Sequence, residues 1–272
     1  DKRTYHYEDA RHPQALTGIT DGRGVRYATW AYDERGRAVL GTHAEGSEQA
    51  FIEYGDSAAI VTDALGRRST YRSTTQHGIP LLTRIDGPGC SSCGSSDVEF
   101  GYDDRLRLTT VTTKDGDVVR YEYDDQNRVS VQTYFAPDGK PTGWVRTNYA
   151  GKSRQPQRVA TPSIHRQGEH VAEYTYNADG HLVGLTETGY APDKKRGFRP
   201  IKRTVTFSYE HDKVTKIDGP RGDVDDVVHF DYDADGRLVA SRYPDGTVQK
   251  VLAYDAYDRP VRTQMNDEVP TD

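Results

Sequence analysis

The stretch Val227–Val239, Val-Val-His-Phe-Asp-Tyr-Asp-Ala-Asp-Gly-Arg-Leu-Val, decides how the whole chain is interpreted. Apolar and polar residues alternate through its first half, and this period of two is typical of a half-buried β-strand. The next four residues, Asp233–Gly236, have the composition of a turn, because Asp accepts hydrogen bonds from nearby backbone N–H groups and Gly tolerates a positive φ. A return strand begins at Arg237. The stretch therefore predicts a β-hairpin.

The same pattern recurs along the chain at a nearly constant interval. Clear copies contain Tyr32, Tyr123, Tyr176, Tyr232 and Tyr254, and weaker copies begin at Tyr7, Tyr54, Tyr102 and Tyr209. Turns of a second kind lie between them, at Asp21-Gly22, Asp115-Gly116 and Asp245-Gly246. The best-matching neighbouring copies are 21 to 23 residues apart. Such a period indicates a repeat architecture, in which each unit buries apolar surface only against its neighbours.

The motif itself resembles the RHS/YD repeat. One copy, Tyr232-Asp-Ala-Asp-Gly-Arg-Leu238, is followed by Asp245-Gly246 and then by a further Tyr-Asp pair at Tyr254. The family includes bacterial Rhs polymorphic toxins, wall-associated proteins, the C subunits of insecticidal Tc toxins and the animal teneurins. The resemblance covers nearly the whole chain, and the regular recurrence makes it specific. It implies an all-β array of hairpin repeats that forms a curved continuous sheet, part of a hollow shell.

The resemblance also implies a function and partners. Such a shell encloses a C-terminal effector domain for secretion and delivery in bacterial competition. The implied partners are further RHS repeats of the same parent chain, the enclosed toxin domain, and secretion-apparatus or chaperone proteins. The implied location is secreted or at the cell surface. The family's cleavage sequence, Asp-Pro-x-Gly-Leu, is not found here, so neither self-cleavage nor toxicity is expected in this segment.

Two other functions remain open. One is a cell-surface adhesin or carbohydrate-binding module, because exposed Tyr residues and the two tryptophans, Trp30 and Trp144, can stack on sugars. The other is a hydrolytic enzyme, for which we find no supporting motif. A variable C-terminal domain in the full reading frame, followed by a small immunity gene, would favour the toxin shell.

The composition fits a thin sheet. The 272 residues include 19 Tyr and only 6 Phe, and 29% are charged. Tyr buries its ring and keeps its hydroxyl hydrated, which suits a sheet with water on one or both faces. The net charge of −6 argues against a general surface for nucleic acid or anionic membranes. No run approaches the ~18 apolar residues of a membrane span.

Domain organisation follows from the repeats. We expect one repeat array over residues 1–272. No signal peptide is recognisable and the first residue is Asp1, so we expect an internal piece of a longer protein. Three stretches interrupt the rhythm and are expected to be irregular loops: residues near 85–97, which are rich in Gly and Ser, the proline-containing 137–168, and the basic 189–203.

Two motifs raise the possibility of a metal site. Asp231–Gly236 matches the start of a calcium loop, but its twelfth position is Arg242, where a bidentate Glu is needed, so we interpret it as a turn. Cys90 and Cys93 have C-x-x-C spacing, but zinc needs two more ligands and the nearest His is His77. We interpret the pair as a local loop feature, free or disulfide-bonded, with a metal site as the alternative.

Other apparent motifs are incomplete. His165, Glu169 and His170 lack the H-E-x-x-H spacing, and the glycine pair Gly22 and Gly24 lacks the third Gly of a dinucleotide fingerprint. We therefore predict no catalytic, cofactor-binding or metal-binding residue and no cofactor.

A basic run lies at residues 194–203. Its cations are Lys194, Lys195, Arg196, Arg199, Lys202 and Arg203. With Tyr190 and Phe198 nearby, nucleic-acid binding is an alternative here. We favour a solvated loop, and predict no nucleic-acid partner.

Overall fold

The computed structural model describes residues 2–43, 46, 48–88, 97–163, 165, 168–195, 197–266, 268 and 271. These residues form 22 β-strands, all assigned to one sheet. None of them is α-helical, and none belongs to a helix that could cross a membrane.

The strands follow one another along the chain with short connections. Their bounds are β1 (Thr4–His6), β2 (Gly18–Thr20), β3 (Arg26–Tyr32), β4 (Ala38–His43), β5 (Ala50–Tyr54), β6 (Ala58–Asp63), β7 (Arg68–Gln76), β8 (Ile79–Asp86), β9 (Val98–Tyr102), β10 (Leu108–Thr112), β11 (Val118–Tyr123), β12 (Val129–Phe135), β13 (Pro141–Tyr149), β14 (Pro156–Pro162), β15 (Glu169–Tyr176), β16 (Leu182–Asp193), β17 (Gly197–Glu210), β18 (Lys213–Asp218), β19 (Val227–Tyr232), β20 (Leu238–Arg242), β21 (Val248–Tyr254) and β22 (Pro260–Met265).

Pairing between consecutive strands is antiparallel throughout β1–β11 and β13–β22. The prediction of an all-β array of hairpins is therefore confirmed. The chain divides into two compact units, residues 1–122 with 133–142, and residues 123–132 with 143–272. Whether the whole chain is a single repeat array stays a prediction.

The hairpin that organised the sequence interpretation forms as expected. β19 and β20 flank the turn, and Tyr232 lies opposite Leu238 after a shift of register. The Gly236 N–H donates to the Asp233 carbonyl, and Gly236 has φ +78°. Residues that carry a side chain rarely adopt this backbone conformation, so Gly is favoured here. Asn127 replaces Gly at the equivalent position of an earlier turn, with φ +59°, and Asn is among the residues that tolerate it best.

The core of each unit is thin. Among the described residues no large side chain is fully buried, and the buried apolar residues are Ala28, Ile85, Val98, Ala160, Ala172 and Ala240. Most strand residues are half-buried. Because little apolar area is fully removed from water, interactions between neighbouring hairpins carry a larger share of stability than in a two-layer domain.

The predicted irregular loop near 137–168 is wrong for about half of its length, because it contains β13 and β14. The prolines misled the prediction. Pro141 and Pro156 are the first residues of their strands and Pro162 is the last residue of β14. Strand ends tolerate Pro because no internal ladder bond depends on its missing N–H.

The predicted loop near 189–203 is also wrong, since it is a long hairpin formed by the end of β16 and the start of β17. Cations and prolines hid the strand pattern there, because neither is typical of a strand. In the stretch near 85–97, Ile85 and Asp86 belong to β8, and Cys90 and Cys93 lie outside the described residues.

Candidate functional site: the junctions between hairpins

The first Asp of the Tyr-Asp turn binds the Arg four residues later. In the β19–β20 turn, Asp233 Oδ1 accepts hydrogen bonds from the backbone N–H groups of Asp235 (3.0 Å) and Arg237 (2.9 Å). Asp233 Oδ2 accepts from Nε and lies 2.8 Å from Nη2 of the Arg237 guanidinium. Five other turns share this arrangement: Asp33–Arg37, Asp63–Arg67, Asp103–Arg107, Asp124–Arg128 and Asp255–Arg259. One carboxylate therefore fixes both the turn backbone and the Arg side chain.

These contacts favour the ionised Asp. The backbone N–H of the turn Arg is the largest cause that lowers the pKa of Asp33, Asp103 and Asp233, and partial burial opposes it. For Asp63 and Asp255 the guanidinium hydrogen bond is the largest cause that lowers the pKa. Hydrogen bonds to a charged carboxylate act in this direction because protonation would remove an acceptor.

The lowered pKa values predict loss of stability in acid. A carboxyl whose pKa is lower in the folded chain binds protons more tightly when unfolded, so its contribution is present above the unfolded pKa, near 3.9, and is lost as pH falls through the folded pKa. We expect the urea midpoint to be nearly constant from about pH 7 to about pH 5 and to fall below about pH 4.

The matched variant is Asp33→Asn combined with Asp233→Asn. Asn177 shows that an amide keeps the turn, because its Oδ1 accepts the N–H groups of Asp179 (3.1 Å) and His181 (2.8 Å). The double variant should lose less stability between pH 5 and pH 3 than the parent, because it has fewer carboxylates to protonate. An equally steep loss of stability in the double variant and the parent would show that these two carboxylates do not cause the loss of stability in acid.

Three of the six turn arginines also contact the next hairpin. In each case the guanidinium carbon lies near the ring centroid of a Tyr that ends a strand of the following hairpin. The pairs are Arg37–Tyr54 (4.2 Å), Arg128–Tyr149 (4.6 Å) and Arg237–Tyr254 (5.4 Å). These distances are within the range of a cation–π interaction. The Arg thus links the carboxylate of its own turn to an aromatic ring of the next.

The same tyrosines bond to the backbone beside that Arg. Their hydroxyls donate to the carbonyl of the residue that directly follows it: Tyr54 to Ala38 (2.9 Å), Tyr149 to Val129 (2.8 Å) and Tyr254 to Leu238. We call each set of turn Asp, turn Arg, following Tyr and acceptor carbonyl a hairpin junction. A junction fixes the spacing between neighbouring hairpins without a buried apolar core.

The hydrogen bond from the Tyr hydroxyl to the carbonyl occurs at more junctions than the turn Arg does. At one junction His181 replaces Arg and stacks on Tyr209, with ring centroids 4.8 Å apart, and the Tyr209 hydroxyl still donates to Leu182. Other hydroxyl donors are Tyr32 to Leu16, Tyr102 to Leu82, Tyr176 to Pro156 and Tyr232 to Val214. Burial raises the pKa of Tyr102, Tyr176 and Tyr232, which keeps these hydroxyls protonated and able to donate.

Arg128 makes the most extensive junction. Its Nη1 donates to the carbonyl oxygens of Gly151 (2.7 Å) and Ser153, in the turn of the next hairpin. Its side chain is 13% exposed, whereas that of Arg259, which pairs with Asp255 in the same way, is 72% exposed. Arg128 therefore holds two successive turns together.

Removing one junction hydroxyl should have a measurable cost. Tyr149→Phe keeps the ring over Arg128 but leaves the Val129 carbonyl without this donor, so we expect a loss of about 0.5–1.5 kcal/mol. Tyr257→Phe is the control, because Tyr257 is 64% exposed. Urea midpoints at unchanged slope report the difference. Equal midpoints for the two variants would contradict the structural role of the bond.

The motifs considered for metal binding have other partners in the structure. Asp233 is held by Arg237, and Asp231 forms an ion pair with Arg242, the residue at position twelve of the supposed calcium loop. His165 stacks on Tyr190, and His170 Nε2 lies 3.6 Å from Glu187 Oε1. Within the described part of the chain, no three His, Cys, Asp or Glu residues are placed to hold a metal ion.

The two tryptophans are partly covered by their own unit. The guanidinium carbon of Arg146 lies 4.1 Å from the Trp144 ring centroid, and the His43 ring meets Trp30 edge-on at 5.7 Å. Both side chains are half-buried. The face of Trp144 against Arg146 is therefore not available to stack on a sugar.

Comparison with known proteins supports the sequence interpretation. The family model described as RHS Repeat matches residues 102–147 and 232–268. A crystal structure of TcdB2–TccC3 without the hypervariable C-terminal region matches with a TM-score of 0.52 at 12% identity, covering 94% of this chain and 17% of that chain. A crystal structure of TcdB2–TccC3–Cdc42 matches with a TM-score of 0.50 at 11% identity, covering 98% of this chain and 20% of the other.

The likeness to these structures concerns the fold, and this chain spans about a fifth of their length. No curated protein sequence matches. Two stretches of this chain, residues 102–147 and 232–268, therefore match the RHS repeat, and the fold shared with these structures extends over nearly the whole chain.

Proposed function

We propose that this chain is a wall segment of an Rhs-type toxin shell that encloses a C-terminal effector domain for secretion and delivery. The observation that carries the proposal is the RHS hairpin array with a fold similar to that of TcdB2–TccC3. One similar structure was determined without a hypervariable C-terminal region, so that protein has such a region. By analogy, we propose that these repeats precede a variable effector.

The physical properties of the array suit a wall. Its strands are half-buried, and neighbouring hairpins are joined through junctions such as Arg128–Tyr149. An array of this kind grows by adding units, since each contacts only its neighbours. We propose a structural and non-enzymatic role for it, without cofactor or metal.

The proposed partners follow from this role. They are further RHS repeats of the parent chain, the enclosed toxin domain, and secretion-apparatus or chaperone proteins. The proposed location is secreted or at the cell surface.

Protease protection in the parent protein tests the proposal. The whole parent protein is expressed, and cleavage of the effector region that follows its repeats is compared with cleavage of the same region expressed alone. Enclosure should slow its cleavage by about tenfold or more, because proteolysis requires an open form. Equal rates of cleavage would refute enclosure.

A glycan array with the same protein tests the adhesin alternative. We expect no glycan to bind with micromolar affinity, because Arg146 covers one face of Trp144. A glycan ligand whose binding is lost in Trp144→Ala would favour the adhesin.

A further inference from the structure

The hairpin formed by β16 and β17 extends beyond its neighbouring strands. β15 pairs with β16 only as far as Val171 opposite Thr188, and β18 pairs with β17 only from Asp218 opposite Thr206. Residues 189–193 and 197–205 therefore form a two-stranded extension, which we call the basic ribbon. Along one edge, the nine residues Gly197–Val205 of β17 have no strand partner among the described residues.

The cations of the basic ribbon are exposed, and the part of the chain that the structure describes contains no ion pair for them. Arg199, Lys202 and Arg203 form no salt bridge within the described residues, whereas the turn arginines are held by carboxylates. Glu187 lies opposite Arg203 in the register, but its Oε1 is 3.6 Å from His170 Nε2. The carboxylate opposite Arg203 therefore lies against His170 and forms no ion pair with this cation among the described residues.

Strand geometry arranges these cations along the free edge. Arg199 and Arg203 project to the same face of the ribbon, about 13 Å apart at roughly 3.3 Å per residue, and Lys202 projects to the other. Between them the edge offers backbone C=O groups and, except at Pro200, backbone N–H groups that an added strand can pair with. An extended chain with carboxylates four residues apart matches this spacing.

We propose that the basic ribbon binds an acidic, extended polypeptide segment, which adds to the free edge of β17 as a further strand. Backbone hydrogen bonds would supply affinity, and carboxylates facing Arg199 and Arg203 would supply selectivity. Cations on an edge strand disfavour pairing with a second cationic edge, so a carboxylate-bearing segment is selected over another copy of the ribbon. The inference does not depend on the proposed shell function.

The probe is a labelled peptide of about ten residues that alternates Val and Thr, with Glu at two positions four residues apart. One control peptide carries Lys instead of Glu. A second keeps the Glu residues but has N-methylated backbone amides, which removes strand pairing without changing charge. Fluorescence anisotropy at low salt should detect binding of the Glu peptide, and both controls should bind about tenfold more weakly or not at all.

Charge reversal locates the site. Arg199→Glu with Arg203→Glu should weaken binding of the Glu peptide by about tenfold. Lys152→Glu with Arg154→Glu is the matched control, because it makes the same charge change at exposed residues of another turn and should leave binding unchanged. Circular dichroism verifies that each variant is folded.

Three results would overturn the proposal. The N-methylated peptide binding as tightly as the Glu peptide would show charge attraction without strand addition. Equal weakening by both variant pairs would place binding outside the ribbon. A short DNA duplex binding more tightly than the Glu peptide would assign the ribbon to nucleic acid instead.

Discussion

Arg128→Ala should lower the urea midpoint of this protein well below that of Arg259→Ala. Both side chains bind the Asp four residues earlier through Nε and Nη2. Arg128 also donates to two carbonyls of the next turn and lies over the Tyr149 ring. The expected loss is about 1.5–3 kcal/mol, the cost of charged hydrogen bonds whose acceptors are left unpaired.

Arg259→Ala serves as the matched control, because its side chain is 72% exposed and exposed ion pairs contribute little. Arg128→Lys should lie between the two, since an ammonium keeps the charge but cannot reproduce the planar, forked donor set. Chemical denaturation of the three variants gives the order. If Arg128→Ala and Arg259→Ala unfolded at the same urea concentration, the junction would not couple hairpins.

Gly87→Ala should be the most damaging single-methyl change in the first unit. Gly87 has φ +115°, and a Cβ placed there would lie 2.5 Å from the Arg68 carbonyl oxygen and 3.1 Å from Ser69 Cα. Both neighbours are backbone atoms, which no change of rotamer can move. The strain of positive φ alone costs about 1–2 kcal/mol, and displacement of β7 adds to it, so we expect a loss of about 3 kcal/mol or more.

Gly78→Ala separates the stability lost through backbone strain from the stability lost through displacement of β7. Gly78 has φ +79°, and no atom of the described residues lies within 4 Å of a Cβ built on it, so this variant reports the backbone strain alone, about 1 kcal/mol. Thermal and urea unfolding should place Gly87→Ala clearly below Gly78→Ala. Similar values would mean that β7 yields easily to the added methyl group.

The repeated hairpin could be predicted because its causes are local. Asp at the start of the turn and Gly at its end specify the backbone between β19 and β20 without help from distant residues. The errors arose where a local rule had a positional exception. Pro141 and Pro156 begin strands, and the cations of the basic ribbon lie on a strand with a free edge.

The junctions were not predicted, although their residues recur. Arg follows the turn Asp by four residues in six turns, and in three of them it lies over a Tyr of the next hairpin. This spacing was a signal that could have been used. The sequence interpretation assigned Asp to the turn and Tyr to the sheet surface, and gave the Arg no role.

By itself, the sequence determined the fold class, the hairpin unit and its turn chemistry, because strand alternation and turn preferences act within a few residues. Only the tertiary structure decided which groups meet between hairpins. The Tyr149 hydroxyl, for example, donates to the carbonyl of Val129, 20 residues earlier in the chain, and no local rule of the sequence predicts that contact. The free edge of β17 likewise depends on where β18 ends, which is a property of pairing between strands and not of any one strand.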